Sequence, residues 1–309
     1  MNPEAADALL KRLYLYWLRP ERALFCAYVE LHAPLIPWGL SIELGCGDGL
    51  ETFLRLGGIP DPAFDYYAAL EGKVSAEEYF GGKDVYDVPV RSFAAVKEKP
   101  PLRFHEGLDL KGHLLDRARL LETYDALKQH DLNTALPYKD GSVDFVYSDV
   151  LYWLNDPEAV ILEVGRVLDQ RGAAVFEVLT SAIRAEDFSH RFGGWGPDWC
   201  RLMDRGRSIS YPGLQSLHQW EAAFNKAGLR VKKVINILPR GIFLVWNVGL
   251  RPLYPLLKRF VDGVPLSERQ AIREEWVQTF YTLLYPVLVK PEVLAYDSEP
   301  LRVQFVLEK

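Results

Sequence analysis

Short apolar runs alternate with helical stripes of apolar residues along most of the chain, which is the pattern of an α/β protein. The first run, Leu40–Leu44, breaks into a glycine-rich loop at residues 45–49, and Leu50, Phe53 and Leu54 then follow at helical spacing. Alternate glycines let a ligand approach the backbone, and the start of a helix offers free N–H groups to an anion. The loop is therefore predicted to bind a nucleotide-type ligand.

Six further strands and several helices are predicted by the same patterns. One strand ends at Asp109, and the others span Ala126–His130, Val143–Ser148, Ala173–Leu179, Leu229–Leu238 and Leu301–Leu307. The last strand alternates apolar with polar residues, so it is predicted to be antiparallel with one less buried face. Helices are expected over residues 4–32 with a break at Pro20, over Leu217–Ala227, and over Ser267–Leu284 with Ser267 as N-cap. A further helix is expected to begin at the N-cap Asp156 and to end at Gly172.

Three stretches do not fit the alternation, and residues 57–101, 181–216 and 239–300 are predicted to be insertions. In a regular α/β unit the first helix would return to a strand through a loop of about 2–6 residues. The aromatic residues of the first insertion indicate that it is ordered and packs on the domain. Residues 1–39 are predicted to form an N-terminal helical cap, and residues 40–309 one domain that carries the three insertions.

Composition narrows the class of protein. The chain has 309 residues, of which 49% are hydrophobic and 25% charged, as is typical of globular proteins. Its three cysteines, Cys26, Cys46 and Cys200, lie far apart, so neither a disulfide framework nor a zinc site is expected. A net charge of −6 argues against nucleic acid as the main partner.

Hydropathy predicts a cytoplasmic protein. The first residues carry no export signal, and the most apolar stretch, Gly241–Leu250, is too short to span a bilayer. The segment Ile235–Leu257 mixes apolar residues with Arg240 and Arg251, so peripheral membrane contact is retained as an alternative. A homodimer is likewise retained beside a monomer.

Polar side chains follow three of the predicted strands. Asp109 ends the second strand, where a carboxylate can accept hydrogen bonds from both hydroxyls of a ribose. Asp131 follows the third strand, where a carboxylate can bind the adenine amine while Leu132 packs on the ring. Ser148 and Asp149 end the fourth strand. Because open α/β sheets bind ligands outside the carboxyl ends of their strands, these residues are expected to converge on one molecule.

Two stretches of the chain resemble the class I S-adenosylmethionine (SAM)-dependent methyltransferases. The first is an acid–apolar–GxGxG motif, SIELGCGDG at residues 41–49. The second is GLDL at residues 107–110, followed at residues 130–178 by HDLNTALPYKDGSVDFVYSDVLYWLNDPEAVILEVGRVLDQRGAAVFEV. The second stretch is similar to the type 11-like branch, which acts largely on small molecules. The resemblance covers most of residues 40–180 and implies SAM as the cofactor and a small molecule as the methyl acceptor.

The resemblance also implies a fold and a set of cofactor-binding residues. The fold is α/β, with a Rossmann-like seven-stranded mixed sheet of order 3-2-1-4-5-7-6 and helical cap insertions. Carried over to this chain, the family's cofactor site divides into a methionine part, a ribose part, an adenine part and a position beside the reacting centre. In that order, these parts are Glu43, Gly45, Gly47 and Gly49; Asp109 with Leu110; Asp131 with Leu132; and Ser148. No metal is expected.

The catalytic residues are less clearly marked. Many members of the family carry Glu-His where this chain has Tyr152-Trp153, so a histidine base is missing there. Tyr152 and Trp153 are instead expected to form the floor of the acceptor pocket. His190 and His218 are the candidate bases, although a surface or structural role is the favoured interpretation of each. The aromatic insertions favour a flat or apolar acceptor, methylated at oxygen, nitrogen or carbon.

Three other functions stay open at this point. A nicotinamide-dependent oxidoreductase shares the strand, loop and helix, but its GxGxxG fingerprint requires glycine where this chain has Leu50. An aminopropyl transferase uses a similar core with a decarboxylated cofactor. A non-catalytic cofactor-binding subunit that scaffolds a partner is compatible with the missing histidine.

Overall fold

The fold is built on a seven-stranded mixed sheet. The computed structural model describes residues 2–61, 64–67, 96–204, 211–250, 253–291 and 299–309. The strands are β1 (Ser41–Leu44), β2 (Phe104–Asp109), β3 (Tyr124–Gln129), β4 (Val143–Ser148), β5 (Leu168–Leu179), β6 (Arg230–Asn236) and β7 (Arg302–Glu308). Their order is β3-β2-β1-β4-β5-β7-β6, and β7 is antiparallel to both of its neighbours. The predicted strand order and the antiparallel last strand are confirmed.

Strand β1 lies at the point where the order of the sheet reverses. It pairs in parallel with β2 on one side and with β4 on the other. The connections from these strands leave on opposite sides, so a crevice opens beyond the carboxyl end of β1. The glycine loop begins at this crevice.

Eleven helices are described beside the sheet, which is flanked by them in the manner of an α/β domain. They are α1 (Pro3–Leu15), α2 (Pro20–His32), α3 (Leu50–Arg55), α4 (Gly112–Arg119), α5 (Pro157–Val167), α6 (Phe188–Phe192), α7 (Pro197–Asp204), α8 (Leu217–Lys226), α9 (Arg240–Phe243), α10 (Tyr254–Asp262) and α11 (Leu266–Val289). A π-helical segment, Leu244–Leu250, continues α9 directly. Among the described residues, none of these helices is both long and apolar enough to cross a bilayer.

Side-chain caps explain where several helices begin. The carboxylate of Asp156 accepts a hydrogen bond from Ala159 N–H, as predicted for the N-cap of α5. Ser216 and Gln219 form a reciprocal capping box at the start of α8. Gly228 follows this helix with a φ of 75°, a conformation that glycine adopts without strain.

Three predicted helix boundaries are wrong. Helix α5 stops at Val167, and Gly172 lies inside β5, which begins at Leu168 because this segment pairs with β4. Helix α11 begins at Leu266 with Pro265 as its N-cap residue, so Ser267 is already inside the helix. It also continues past Leu284 to Val289, because buried apolar contacts extend along its last turns.

The N-terminal helices are tied to the rest of the chain by buried arginines. Arg12 of α1 is buried and forms ion pairs with Glu30 at 3.1 Å and with Glu51 of α3 at 2.8 Å. Arg273 of α11 donates from Nε to the Tyr14 carbonyl oxygen at 2.9 Å. Helices α1 and α2 are thereby held against the helix that follows the glycine loop.

The three predicted insertions are described in part. The first is described at residues 57–61, 64–67 and 96–101, where Ile59–Pro60 and Val96–Glu98 pair in an antiparallel ribbon. Its remaining aromatic residues, Tyr79, Phe80, Tyr86 and Phe93, lie outside the described residues. The other two insertions supply α6 to α7 and α9 to α11. The predicted boundaries of the cap and of the domain stay predictions.

Close packing of α5 against the end of α8 can be tested at Gly165. A Cβ added there would lie 2.3 Å from the backbone oxygen of Ala227. Alanine is the better helix former by about 1 kcal/mol, but we expect the clash to dominate and Gly165→Ala to lower the free energy of unfolding by about 1–3 kcal/mol. Urea denaturation measures this change.

The control is Gly193→Ala, because nothing lies within 4 Å of a Cβ added at Gly193. Its stability is expected to stay within about 0.5 kcal/mol of the wild type. Wild-type stability of the Gly165→Ala protein would contradict the close contact of the two helices.

Candidate cofactor and acceptor site

The glycine loop is shaped by left-handed backbone conformations. The φ angles of Gly45, Gly47 and Gly49 are 76°, 56° and 70°, which side chains with a Cβ rarely adopt. A Cβ at Gly45 would lie 2.4 Å from Val150 Cγ2, so only glycine lets the loop pass this side chain. A Cβ at Gly47 would meet nothing within 4 Å. The loop therefore packs tightly on one side and leaves open space at Gly47 for a ligand.

Asp109 joins this loop to the end of β2. Gly47 N–H donates to Asp109 Oδ2 at 2.9 Å, and Lys111 N–H donates to Oδ1 at 2.8 Å. Each carboxylate oxygen can accept more than one hydrogen bond, so both keep capacity for ribose hydroxyls. The next residue, Leu110, exposes 58% of its surface, an apolar side chain left uncovered beside the loop.

Asp131 follows β3 by two residues, and Gln129 at the end of that strand is paired with Asp109 in the sheet. His130 N–H donates to the Asp109 carbonyl oxygen at 3.0 Å, which places the two strand ends side by side. Asp131 Oδ1 accepts from the backbone N–H and the side-chain amide of Asn133, and these bonds lower the pKa of Asp131. Leu132 is buried. An ionised carboxylate and an apolar side chain thus stand where the adenine was predicted to bind.

Glu43 lies beneath the loop and is only 3% exposed. Thr52 Oγ1 and Tyr124 Oη donate to its two oxygens at 2.9 and 2.8 Å. Burial raises the pKa of Glu43 to about 8, although both hydrogen bonds lower it. Its position braces β1 against α3 and β3 from inside the domain.

Ser148 is buried at the end of β4. Its hydroxyl donates to the Leu44 carbonyl oxygen at 2.9 Å and accepts from Val150 N–H at 3.4 Å. These bonds hold the turn that follows β4 close to the end of β1. The neighbouring Asp149 is partly exposed, and its Oδ2 lies 3.6 Å from Arg302 Nη2.

A buried network of charges behind this turn was missed in the sequence. Arg55 of α3 forms an ion pair with Glu177 of β5 at 2.8 Å and donates to Tyr147 Oη at 2.7 Å. Arg302 Nη2 lies 3.4 Å from the same Glu177 carboxylate. Burial lowers the pKa of Arg55, but Glu177, Tyr147 and Glu51 together more than offset this and raise it above its ordinary value. The available signal was a single glutamate within the apolar run of β5.

Aromatic rings cover the segment that follows β4. Tyr152 is buried, whereas Trp153 is 47% exposed, and their ring centroids lie 5.7 Å apart. Tyr211 packs edge-on against both rings, with centroids 5.3 Å from Tyr152 and 4.8 Å from Trp153. The Arg302 guanidinium lies 5.6 Å from the Tyr152 ring centroid. The two residues predicted as a pocket floor thus belong to a three-ring wall that includes Tyr211.

The two candidate histidines lie apart from this group. His190 is exposed on α6, where its backbone N–H donates to Asp187, the N-cap residue. His218 is exposed in the first turn of α8. Within the described ranges, no group of three or more His, Cys, Asp or Glu side chains could hold a metal ion.

Comparison with known proteins identifies the domain. Residues 95–176 match the family model described as a methyltransferase domain. The matched stretch contains Asp109, Asp131 and Ser148, so it includes three of the four strand ends described above. Residues 95–176 therefore carry a methyltransferase domain, which confirms the resemblance seen in the sequence, and SAM is the cofactor. The search of curated proteins found no significant match.

Several solved structures are similar to the chain over most of its length. One is a candidate sarcosine dimethylglycine methyltransferase from Galdieria sulphuraria, with 15% identity, 95% of this chain and 83% of that chain covered, and a TM-score of 0.47. Another is an S-adenosylmethionine-dependent methyltransferase from Mesorhizobium loti, with 13% identity, 94% of this chain and 95% of that chain covered, and a TM-score of 0.43. A third is geranyl diphosphate C-methyltransferase from Streptomyces coelicolor, with 12% identity, 94% of this chain and 82% of that chain covered, and a TM-score of 0.41.

The site fits SAM in three respects. The open space at Gly47 admits a ligand to the loop backbone, and the Asp109 carboxylate keeps acceptor capacity for ribose hydroxyls. The uncovered Leu110 offers an apolar surface beside them.

The raised pKa of Glu43 makes stability depend on pH. Its folded pKa of about 8 lies above the ordinary value of 4.5, so between these values the folded protein holds a proton that the unfolded chain has released. This contribution to stability is fully present below the unfolded pKa and is lost as the pH rises through about 8. The slope it adds is at most about 1.4 kcal/mol per pH unit.

Glu43→Gln replaces the ionisable carboxyl group with an amide that does not titrate, and it keeps the shape of the side chain. We expect the variant to lose less stability than the wild type between about pH 5.5 and about pH 8.5, as measured by urea denaturation at both values. The difference between the two proteins isolates Glu43 from other titrating groups. Parallel pH dependences would show that Glu43 ionises normally in the folded state.

Proposed function

We propose that the protein transfers the methyl group of SAM to a small aromatic or apolar molecule, at an oxygen, nitrogen or carbon atom. The observation that carries this proposal is the three-ring wall of Tyr152, Trp153 and Tyr211 directly after β4. Strand β4 pairs with β1, so this wall stands beside the glycine loop. A half-exposed tryptophan at such a place offers a flat apolar surface to an acceptor.

The residues of the four strand ends would divide the cofactor among them. Gly45, Gly47 and Gly49 would face its methionine part through their backbone, with Glu43 bracing the strand beneath. Asp109 would accept the ribose hydroxyls, with Leu110 packed beside them. Asp131 would bind the adenine amine, and Leu132 would pack on the adenine ring. Ser148 would hold the turn beside the reacting centre. When bound, the sulfonium supplies an electrophilic methyl group, and the protein supplies alignment and exclusion of water.

A hydroxyl acceptor would also need to lose a proton. Asp149 stands at the end of β4, and desolvation raises its pKa above the ordinary value, although the Arg302 guanidinium lowers it. A carboxylate with a raised pKa is a stronger base than an ordinary aspartate. Asp149 is therefore proposed as the proton acceptor ahead of the exposed His190 and His218.

Cofactor binding is tested at Asp109. We expect Asp109→Ala to weaken SAM binding by about 1.5–3 kcal/mol, because it removes charge-assisted hydrogen bonds to the ribose and frees the glycine loop. Isothermal calorimetry measures the affinity. The control is Asp116→Ala, which removes an exposed carboxylate of α4 that pairs with Arg119. Equal SAM affinity in the wild type and in Asp109→Ala would remove Asp109 from the site. If the wild type binds a nicotinamide dinucleotide in place of SAM, the oxidoreductase would be favoured.

Acceptor binding is tested at Trp153. The full chain is incubated with methyl-labelled SAM and a protein-free extract of small molecules, and label in the extracted products is counted. Trp153→Ala is expected to reduce label transfer by about tenfold or more while SAM affinity stays nearly unchanged, because the ring aligns the acceptor only. Trp195→Ala, which removes another exposed tryptophan, is the control.

Two outcomes would contradict this assignment. Equal losses of SAM affinity and of transfer, with a normal melting temperature, would place Trp153 at the cofactor. Tight SAM binding by the wild type with no label transfer to any extract would favour the non-catalytic scaffold subunit.

A further inference from the structure

We propose that Arg302 is a positioning residue for methyl transfer to a hydroxyl group: it holds the Asp149 carboxylate and the Tyr152 ring beside the reacting centre. The proposal rests on the proposed function, because it deepens the account of the same site. It assigns a role to a residue that lies far along the chain from the stretch matched by the methyltransferase model, which ends at residue 176.

The direction of β7 brings Arg302 to the site. Strands β1, β4 and β5 are parallel, so all three end at the edge of the sheet where the glycine loop begins. Strand β7 runs antiparallel to β5, and its first residue, Arg302, pairs with Leu179 at the end of β5. The start of β7 therefore lies at the edge where β4 ends. A parallel last strand would have placed its first residue at the opposite edge.

The Arg302 guanidinium contacts two carboxylates at this edge. Its Nη2 lies 3.4 Å from Glu177 Oε2 and 3.6 Å from Asp149 Oδ2. Glu177 is already paired with Arg55 at 2.8 Å. Two arginines thus face two carboxylates, and the positive charge of Arg302 is left to balance Asp149. Arg302 is mostly buried, whereas Asp149 is partly exposed, so the carboxylate is the group that an acceptor can reach.

The same guanidinium lies close to two aromatic rings. It is 5.6 Å from the ring centroid of Tyr152 and 5.0 Å from that of Phe25 in α2. A guanidinium is attracted to the faces of such rings, and a lysine ammonium lacks its planar shape. Tyr152 in turn packs against Trp153. One side chain therefore links the proposed proton acceptor, the three-ring wall and the N-terminal helices.

The ionisation of Asp149 depends on this arrangement. Desolvation raises the pKa of Asp149, and Arg302 is the largest influence that lowers it. Charged and titratable groups of several elements face this carboxylate: Arg302 of β7, Glu177 of β5, Glu51 and Arg55 of α3, Glu43 of β1, Tyr147 of β4, and Tyr152. Without Arg302 the pKa would rise further, so Asp149 would hold a proton over a wider pH range and could not accept one from a hydroxyl.

The charge at Asp149 matters for a hydroxyl acceptor in particular. Asp149 would take the hydroxyl proton as the acceptor oxygen forms its bond to the methyl carbon of SAM, and the electron pair of the broken carbon–sulfur bond stays on the sulfur of the product. The proton then passes from Asp149 to water. Arg302 holds the carboxylate ionised and in place during this step. A neutral amine needs no base before it attacks, so it would gain little from the arrangement.

The contact is tested first without turnover. Arg302→Met removes the charge and keeps an unbranched side chain, and we expect it to raise the pKa of Asp149 by about one pH unit or more. Nuclear magnetic resonance of the full-length protein with ¹³C-labelled aspartate measures this pKa, and the signal of Asp149 is the one missing from Asp149→Asn. Arg302→Lys keeps the charge and is expected to stay near the wild-type pKa.

The matched control is Arg230→Met, which removes an exposed arginine of β6 that pairs with Glu308. It is expected to leave the pKa of Asp149 unchanged. Equal values in the wild type and in Arg302→Met would overturn the proposal. If Arg302→Met loses its cooperative melting transition, Arg302→Gln takes its place, with the same expected direction.

The second test follows label transfer from methyl-labelled SAM to a protein-free extract of small molecules over a range of pH. The acidic limb of the profile is expected to move to higher pH in Arg302→Met, to stay near the wild type in Arg302→Lys, and to leave SAM affinity unchanged. In an Asp149→Asn background, Arg302→Met is expected to reduce transfer by no more than about twofold further, because it acts through Asp149. Independent, multiplying losses would contradict the positioning role.

The outcomes separate this proposal from the function on which it rests. Normal transfer by the wild type, with the same pH profile in Arg302→Met, would overturn the role of Arg302 alone. A wild type that binds SAM and transfers no label would overturn the proposed function instead, and the titration of Asp149 would still decide whether Arg302 controls that carboxylate.

Discussion

The hydrogen bond between Gly47 N–H and the Asp109 carboxylate is the contact on which the cofactor site depends. It holds a loop of left-handed glycines against the end of the neighbouring strand, and Gly45 fits there only because it has no Cβ to meet Val150. The same carboxylate keeps acceptor capacity towards the open side. One side chain thus shapes the loop and faces the ligand that the loop would bind.

Behind the loop, the interior of the domain contains buried ion pairs where apolar side chains would usually pack. Arg55, Glu177 and Arg302 link α3, β5 and β7 through ion pairs. Such a group adds little stability over an apolar core, but removal of one partner strands a buried charge and costs roughly 3–5 kcal/mol. The network therefore fixes the positions of three elements beside β4. It also places the Arg302 guanidinium near Asp149 and over Tyr152, where it sets the electrostatics of the acceptor side.

The cap segments supply what a bare sheet lacks. Alignment of an acceptor requires walls that exclude water, and the strand ends alone are open to solvent. Tyr211, from the second insertion, packs against Tyr152 and Trp153 and completes the wall beside the glycine loop. Specificity for the acceptor is thus proposed to lie in segments outside the methyltransferase core.

The sequence by itself determined most of the strands and the carboxylates at their ends, because both follow from short-range patterns: apolar runs, the glycine loop and an acid directly after a strand. The order of the strands in the sheet came from the family resemblance. The sequence also located the cap of α5 at Asp156, since capping is a contact between near neighbours. The end of that helix was misplaced at Gly172, because pairing with β4 draws this segment into β5. Only the tertiary structure brought Arg55, Glu177 and Arg302 together, and only it packed Tyr211 against Tyr152 and Trp153. These contacts join residues far apart in the chain, and no local pattern records which distant side chain will share a buried space.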